Sequence, residues 1–397
     1  MPFVAPQNIL ISAGELSGDR YAADLVKALK QKYPETQFWG MGGEAMKAKG
    51  VKLVANVTSY STIGLFEPLR YVGPIYKAYK TLLKEAFQRK PDLVIVIDYQ
   101  GFHMMLLKVL KKCGFKTVYF IAPQEWQWGT DEGGRAVAAQ SDLILSIFKP
   151  EHEFYSRLGA NSQYVGHPIL DRIKPLLTPL EFREKYNLTQ QTPFTSNPIL
   201  IGLFPGSRPQ EWKRTAPILF EAAALLEAHY PQVRFAVSVA SKEAKSKVLE
   251  YCLKRPKRLE FIEGEPYSLI QASSFSLTVS GTVTLEHALL GTPCIVGYAF
   301  SPLTYWFGRT FLSKKLNRIP YMSLPNLLLN KPILPEFLQS DLTVEAVFNR
   351  ACLFLNNAHL LQAITEQLIE LKNLLGEPGV YARVVDKIHC FLGETHA

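Results

Sequence analysis

Along the first 165 residues, short apolar runs alternate with longer stretches whose apolar positions recur every three to four residues. The runs are Asn8–Ala13 (NILISA), Gln37–Gly40, Asp92–Asp98 (DLVIVID), Thr117–Ile121, Leu143–Ile147 and Ser162–Val165. Near-continuous apolar runs suit strands buried on both faces, and helix-period segments between them suit crossover helices, so the pattern predicts a parallel sheet flanked by helices. Residues 171–198 turn polar and rich in Pro, Thr, Asn and Gln, which reads as a linker. A second series of runs follows: Ile199–Phe204, Phe235–Val239, Leu259–Ile262, Phe275–Val279 and Cys294–Tyr298. After Val344 the chain reads as helix, with Leu361, Ile364, Leu368 and Leu371 on one stripe and a last segment near Val380–Phe391. No short-period repeat is present, which excludes a solenoid.

The expected architecture is therefore α/β, with two Rossmann-like domains facing a cleft and C-terminal helices. The boundaries read as 1–170, a linker at 171–198, a second domain at 199–345 and helices over 346–397. Open α/β sheets bind ligands at the carboxyl ends of their strands, so the expected site is inter-domain. A chain of 397 residues with 47% hydrophobic content can fill two cores.

Charge and cysteine usage narrow the partners. The 44 Lys+Arg against 35 Asp+Glu give a net charge of +9, favouring nucleotides, phosphates or anionic membrane surfaces. Nucleic acid remains open on charge alone. The five cysteines form no CxxC pair, so no disulfide framework is expected and the compartment reads as reducing. No basic segment precedes an apolar run at Met1–Leu10, and nowhere do about 18 apolar residues follow one another, so neither a signal peptide nor a spanning helix is expected. The eight histidines show no HxxxH, HxH or His/Cys cluster, which predicts no protein-ligated metal; no cofactor is expected.

Four loops could carry chemistry. The first strand runs into Ala13-Gly14-Glu15-Leu16-Ser17-Gly18-Asp19, where Gly14 and Gly18 let backbone approach a ligand and Ser17 or Asp19 can cap the following helix. Its GxxxGD spacing lacks the GxGxxG of dinucleotide folds and the Lys-Ser/Thr of a P-loop, so a plain capped turn is an equal reading. Asp98, ending DLVIVID, stands where a carboxylate can take a proton from a hydroxyl; its alternative is a helix N-cap, with His103 structural inside that helix. Gly206 and Ser207 offer amides at a helix start and Arg208 a forked cation for phosphate, or else a surface ion pair. Ser280, Gly281 and Thr282 repeat the strand-turn-helix pattern, with Glu286 one turn on, either within reach of ribose hydroxyls or simply on the helix surface.

Taken in order, Gly14-Glu15-Leu16-Ser17-Gly18-Asp19, Gly166-His167-Pro168, Pro205-Gly206-Ser207-Arg208, Ser280-Gly281-Thr282 with Leu285-Glu286, and Leu324-Pro325-Asn326-Leu327 with Glu336 to Gln339 resemble the lipid A disaccharide synthase family. The resemblance spans roughly residues 8–340. It implies a GT-B glycosyltransferase that moves 2,3-diacylglucosamine from UDP to the 6-hydroxyl of 2,3-diacylglucosamine 1-phosphate, with inversion, giving a β-1,6 disaccharide. It implies Asp98 as base, Gly206, Ser207, Arg208, Ser280, Gly281, Thr282 and Glu286 at UDP, Asn326 and Gln339 near the donor, and Gly14, Glu15, Ser17 and Gly18 as the N-terminal glycine loop. The protein would then sit on the cytoplasmic face of the inner membrane, with nucleic acid not needed as a partner and a homodimer left open. Two positions depart from the family pattern: Gln100 stands where Pro is common, and Trp126-Gln127-Trp128 is followed by Gly129 rather than Arg. An epimerase-like UDP-sugar enzyme and a non-catalytic lipid or nucleotide binder are the alternatives.

Acylated substrates need apolar surface and a grip on the bilayer. Tyr60–Lys90 interleaves Leu65, Phe66, Leu69, Tyr71, Ile75, Tyr76 and Tyr79 with Arg70, Lys77, Lys80 and Lys84; Tyr298–Arg318 adds Phe300, Tyr305, Trp306, Phe307 and Phe311 beside Arg309, Lys314, Lys315 and Arg318. Both suit an interfacial element, and an amphipathic helix with a solvated basic face is the plainer reading of each.

Overall fold

The computed structural model describes residues 5–58, 72–189, 198–302 and 320–394. The chain divides into two compact units, Met1–Arg172 with Leu374–Ala397, and Ile173–Asn373.

The first unit holds a seven-stranded parallel sheet of order β3-β2-β1-β4-β5-β6-β7. Its strands are β1 (Asn8–Ala13), β2 (Gln37–Met41), β3 (Lys52–Ala55), β4 (Leu93–Ile97), β5 (Thr117–Phe120), β6 (Leu143–Ser146) and β7 (Ser162–Tyr164). The connecting helices are α1 (Leu16–Lys32), α2 (Glu44–Ala48), α3 (Val72–Arg89), α4 (Gln100–Lys112), α5 (Glu125–Trp128), α6 (Asp131–Gln140), α7 (Lys149–Arg157) and α8 (Ile169–Arg172). Every residue of β4 is buried, as expected for a strand covered on both faces. On one side α1 lays Leu25, Val26 and Leu29 against the sheet; on the other, Leu82 of α3 and Leu106 and Leu110 of α4 join Val94 and Val96 in one cluster. Burying each such side chain stabilises by about 1.5–3 kcal/mol, before the entropy cost of ordering it.

The second unit repeats the plan with six parallel strands in the order β10-β9-β8-β11-β12-β13. These are β8 (Ile199–Phe204), β9 (Val233–Val239), β10 (Leu259–Glu263), β11 (Phe275–Val279), β12 (Cys294–Tyr298) and β13 (Glu336–Leu338). Its helices are α9 (Pro179–Lys185), α10 (Pro209–Arg214), α11 (Ala216–His229), α12 (Lys242–Tyr251), α13 (Pro266–Ala272), α14 (Thr282–Leu289), α15 (Leu324–Leu329), α16 (Val344–Asn356) and α17 (Ala358–Leu375).

The stretch read as a linker is partly built into this unit. Thr178 and Glu181 form a capping box that starts α9, Phe182 is fully buried, and the Arg183 guanidinium donates to the carbonyls of Ala272 and Pro198. Residues 190–197 lie outside the described ones.

The C-terminal helices do not form one block. α16 packs on α11 in the second unit, while α17 ends at Leu375 and the final helix α18 (Val380–Glu394) packs on α1 in the first. There Tyr33 and His389 share a 2.8 Å hydrogen bond, and Lys32 pairs with Asp386 at 2.8 Å.

Candidate functional site

In each sheet the strand order reverses direction between two neighbours, opening a crevice at their carboxyl ends. In the first unit these neighbours are β1 and β4, paired from Ile9↔Leu93 to Ala13↔Ile97. The turns leaving them carry Gly14-Glu15 and Asp98-Tyr99.

Asp98 and Tyr99 both adopt left-handed backbone, with φ of +54° and +53°. Asp98 is not the N-cap: Tyr99 occupies that position and α4 begins at Gln100. Asp98 is partly exposed. Its carbonyl is held from the core side, accepting the Nδ1–H of His103 at 2.6 Å and the hydroxyl of Tyr119 at 3.0 Å.

His103 is fully buried, and burial depresses its pKa to about 4, against the pull of the Asp98 carbonyl. It is therefore neutral near pH 7 and donates from Nδ1, which leaves Nε2 to accept the Ser12 hydroxyl at 2.8 Å. Its structural role, one of the two sequence readings, is what the contacts give.

The glycine loop packs against this turn. A side chain on Gly14 would overlap the Tyr99 ring, and one on Gly18 would meet the Ile97 carbonyl at 3.7 Å and the Asp98 Cβ at 4.0 Å. The close approach expected for a ligand at Gly14 is thus made by Tyr99. Burial raises the Tyr99 phenol pKa, and the Glu15 carboxylate raises it further. Glu15, rather than Ser17 or Asp19, is the N-cap residue of α1. Asp19 serves a different helix: its buried carboxylate accepts the amides of Gly43 (2.7 Å), Ala45 (3.0 Å) and Met46 (3.1 Å) at the start of α2. One turn inside α1, its side chain reaches across to those unpaired N–H groups instead of back to its own.

The two departures from the family pattern meet at one side chain. The Gln100 amide donates to Glu125 Oε1 at 2.6 Å, Thr130 N–H donates to Glu125 Oε2 at 3.2 Å, and a Cβ on Gly129 would collide with that carboxylate. Sequence order hid this coupling, because Gln100 and Glu125 leave different strands.

In the second unit the switch point lies between β8 and β11. Gly206 has φ of +89°, and a Cβ there would meet Val279 Cγ2 at 2.9 Å, so the two turns touch at this glycine. Of the two amides assigned to an anion, Gly206 and Ser207, that of Ser207 is already engaged, as is the next one. Ser207 and Arg208 N–H donate to Glu211 Oε2 at 2.8 and 3.0 Å, and Arg208 Nη1 pairs with Glu211 Oε1 at 3.1 Å. Glu211 is only 3% exposed, so this pair is part of the fold rather than a surface accident.

Ser280 is buried, and its hydroxyl donates to the Met322 carbonyl at 3.3 Å instead of facing outward. Gly281 is the N-cap of α14, Thr282 its first residue, and both are partly exposed, as is Glu286 one turn on. Asn326 is 1% exposed and spent: Nδ2 donates to Leu334 O (2.8 Å) and Glu336 Oε1 (2.7 Å), while Oδ1 accepts Leu334 N–H (2.8 Å). Glu336, not singled out by its chemistry, is the hub, accepting also Met322 N–H, Ser323 N–H and the Ser323 hydroxyl. Gln339 Oε1 accepts the Phe300 amide at 2.5 Å. His287, which the sequence did not single out, is buried against Phe204 with its pKa pushed down by burial to about 4. Among the described residues no group of three His, Cys, Asp or Glu is placed to hold a metal ion.

Of the aromatic-basic stretches, α3 is described and is amphipathic. Ile75 and Tyr79 pack on the core, whereas Tyr76 is 54% exposed on a face with Lys77, Lys80, Lys84 and Phe87. The Lys80 ammonium lies 4.7 Å from the Tyr76 ring centre. Tyr298 is a buried strand residue, and Phe300, which packs edge-on with it, is partly exposed. Leu65, Phe66, Leu69, Arg70 and Tyr71, and Tyr305 to Arg318, lie outside the described residues. No described helix is long and apolar enough to cross a membrane.

The sequence model of the lipid-A-disaccharide synthetase family matches residues 9–380. The chain is 36% identical to a lipid-A-disaccharide synthase of Sulfurihydrogenibium sp., covering 98% of this chain and 100% of that one. It is 33% identical to the enzyme of that name from Geobacter metallireducens, with 98% of each covered. Among solved structures it resembles MnaA of S. aureus with UDP, at 15% identity and a TM-score of 0.64, with 98% and 97% of the two chains covered. The UDP-GlcNAc 2-epimerase of Neisseria meningitidis bound to UDP-GlcNAc is similar at 13% identity and a TM-score of 0.61, with 96% and 99% covered. At such identities these structures bear on the fold alone, which is the GT-B type of two Rossmann-like domains.

Proposed function

The chain belongs to the lipid-A-disaccharide synthetase family, and on that premise we propose the chemistry by which its residues act. It is a glycosyltransferase that forms the lipid A disaccharide from a UDP-sugar. The donor in this reading is UDP-2,3-diacylglucosamine and the acceptor the 6-hydroxyl of 2,3-diacylglucosamine 1-phosphate. Asp98 takes the hydroxyl proton as the oxygen attacks the anomeric carbon. The bond from that carbon to the diphosphate breaks, its electron pair leaves on UDP, and a single displacement inverts the centre.

The observation that carries this reading is Asp98 itself, a partly exposed carboxylate at the switch point of its sheet, with its backbone pinned from the core side. On the donor side, the Glu211 and Met322 contacts narrow the groups available to UDP. The Arg208 guanidinium and the first-turn amides of α14 at Gly281 and Thr282 are the candidates, with Glu286 for the ribose. No metal enters the proposed step, so turnover should persist in a chelator. Support for an anionic, cytoplasmic-face membrane partner comes from the exposed Tyr76, Lys77, Lys80, Lys84 and Phe87 of α3. The same reading is compatible with a homodimer.

The test is a mass-resolved assay with defined diacyl donor and acceptor. Disaccharide 1-phosphate and UDP should appear in equal amounts, and Arg208→Ala should raise the donor KM. Equal turnover of an unacylated acceptor, or epimer formation from UDP-GlcNAc without acceptor, would overturn the reading.

A further inference from the structure

We propose that His103 and Tyr119 are positioning residues for the transfer, holding the Asp98 backbone carbonyl so that the carboxylate is presented in one direction; this rests on the reading of Asp98 as the base.

Two consecutive left-handed residues outside glycine, one of them a tyrosine, cost on the order of 1–3 kcal/mol each and persist only where their surroundings over-determine them. Asp98 precedes the N-cap, so its carbonyl lies outside the helix ladder, whose first bond runs from the His103 N–H to the Tyr99 carbonyl at 3.1 Å. The Asp98 carbonyl is served by two side-chain donors instead, from different elements: His103 on α4 at 2.6 Å and Tyr119 on β5 at 3.0 Å.

Both donors are locked. His103 is fully buried and neutral, its far nitrogen tied to Ser12 on β1 at 2.8 Å. Tyr119 is fully buried, and burial together with the Asp98 charge holds its phenol proton in place. Three adjacent strands and the helix after the turn thus converge on one carbonyl. Both bonds end on the Asp98 carbonyl, so they act on the direction in which the residue presents its carboxylate.

Side-chain geometry supplies a discriminating test. An asparagine amide nitrogen occupies the place of histidine Nδ1, whereas a glutamine amide reaches only the place of Nε2. His103→Asn should keep the donor to Asp98 and lose Ser12; His103→Gln should do the reverse. With diacyl donor and acceptor, His103→Asn should retain kcat within about threefold, while His103→Gln and Tyr119→Phe should lower kcat on the order of 10–100-fold with donor and acceptor KM unchanged. Thermal unfolding and UDP binding of each variant establish that it is folded, and Tyr119→Phe, which removes one oxygen, serves if the histidine variants do not fold.

In the Asp98→Asn background the same changes should have no further effect on the residual rate. Equal loss for His103→Asn and His103→Gln, unchanged kcat for Tyr119→Phe, or full additivity with Asp98→Asn would each overturn the positioning role. If Asp98→Asn itself turns over normally, the failure lies instead in the assignment of the base.

Discussion

Asp19 illustrates how a short motif divides its labour. Its carboxylate closes three amides at the start of α2 and holds that helix to α1. Asp19→Ala should lower unfolding stability by about 1–2 kcal/mol, the usual worth of a cap, while leaving the donor KM unaltered in the folded fraction. A chemical-denaturation midpoint together with steady-state kinetics checks both, and an unchanged midpoint would contradict the capping role.

At this scale the sequence exposed the candidates but not their partners. Asp98, Arg208 and Gly281 stand at strand ends because a parallel strand-turn-helix unit puts them there, and that register is local. The interception of the Ser207 and Arg208 amides by Glu211 was legible in principle, since Arg208-x-x-Glu211 is a capping spacing. The seat of Asn326 among Leu334 and Glu336, and of His103 between Ser12 and Asp98, comes from tertiary pairing that periodicity does not encode.

Among the elements, the central strands were plain as apolar runs. β3 and β13 were not, because each is short and only partly buried. The join of β6 to α7 carries a further consequence. Glu151 is buried, with Oε2 accepting Ile147 and Phe148 N–H at 2.8 and 3.2 Å, and burial raises its pKa to about 8 despite those bonds.

Between the unfolded value near 4.5 and that folded value, the native chain holds a proton the unfolded chain lacks. Stability from this residue therefore falls as pH rises through that window, by at most about 1.4 kcal/mol per pH unit. The buried neutral histidines act oppositely. With folded values of about 4 for His103 and His287 and about 3 for His167, they lower stability as pH falls below about 6.5. Glu151→Gln should flatten the decline between pH 6 and pH 8, read from urea midpoints, and an unaltered slope would contradict the assignment.

For the whole molecule, two doubly wound units were legible from the alternation of runs, whereas the return of α18 to the first unit was not. That return depends on which surface the C-terminal apolar stripe finds. Part of the net charge of +9 lies in the exposed Lys77, Lys80 and Lys84 of α3, beside Tyr76 and Phe87. Reversing Lys77, Lys80 and Lys84 to Glu should weaken binding to anionic vesicles by about 1 kcal/mol or more per residue and remove most of its salt dependence. Binding that is insensitive to both would contradict a membrane-facing α3.

Transfer depends on Asp98 as the group that activates the acceptor oxygen. The direct measurement is the rate of disaccharide 1-phosphate formation by Asp98→Asn, with its fold and UDP binding matched to the unaltered protein. With Asp98 as the base, kcat should fall on the order of 10²–10⁴-fold with UDP still bound. Undiminished product formation by the asparagine variant would contradict it.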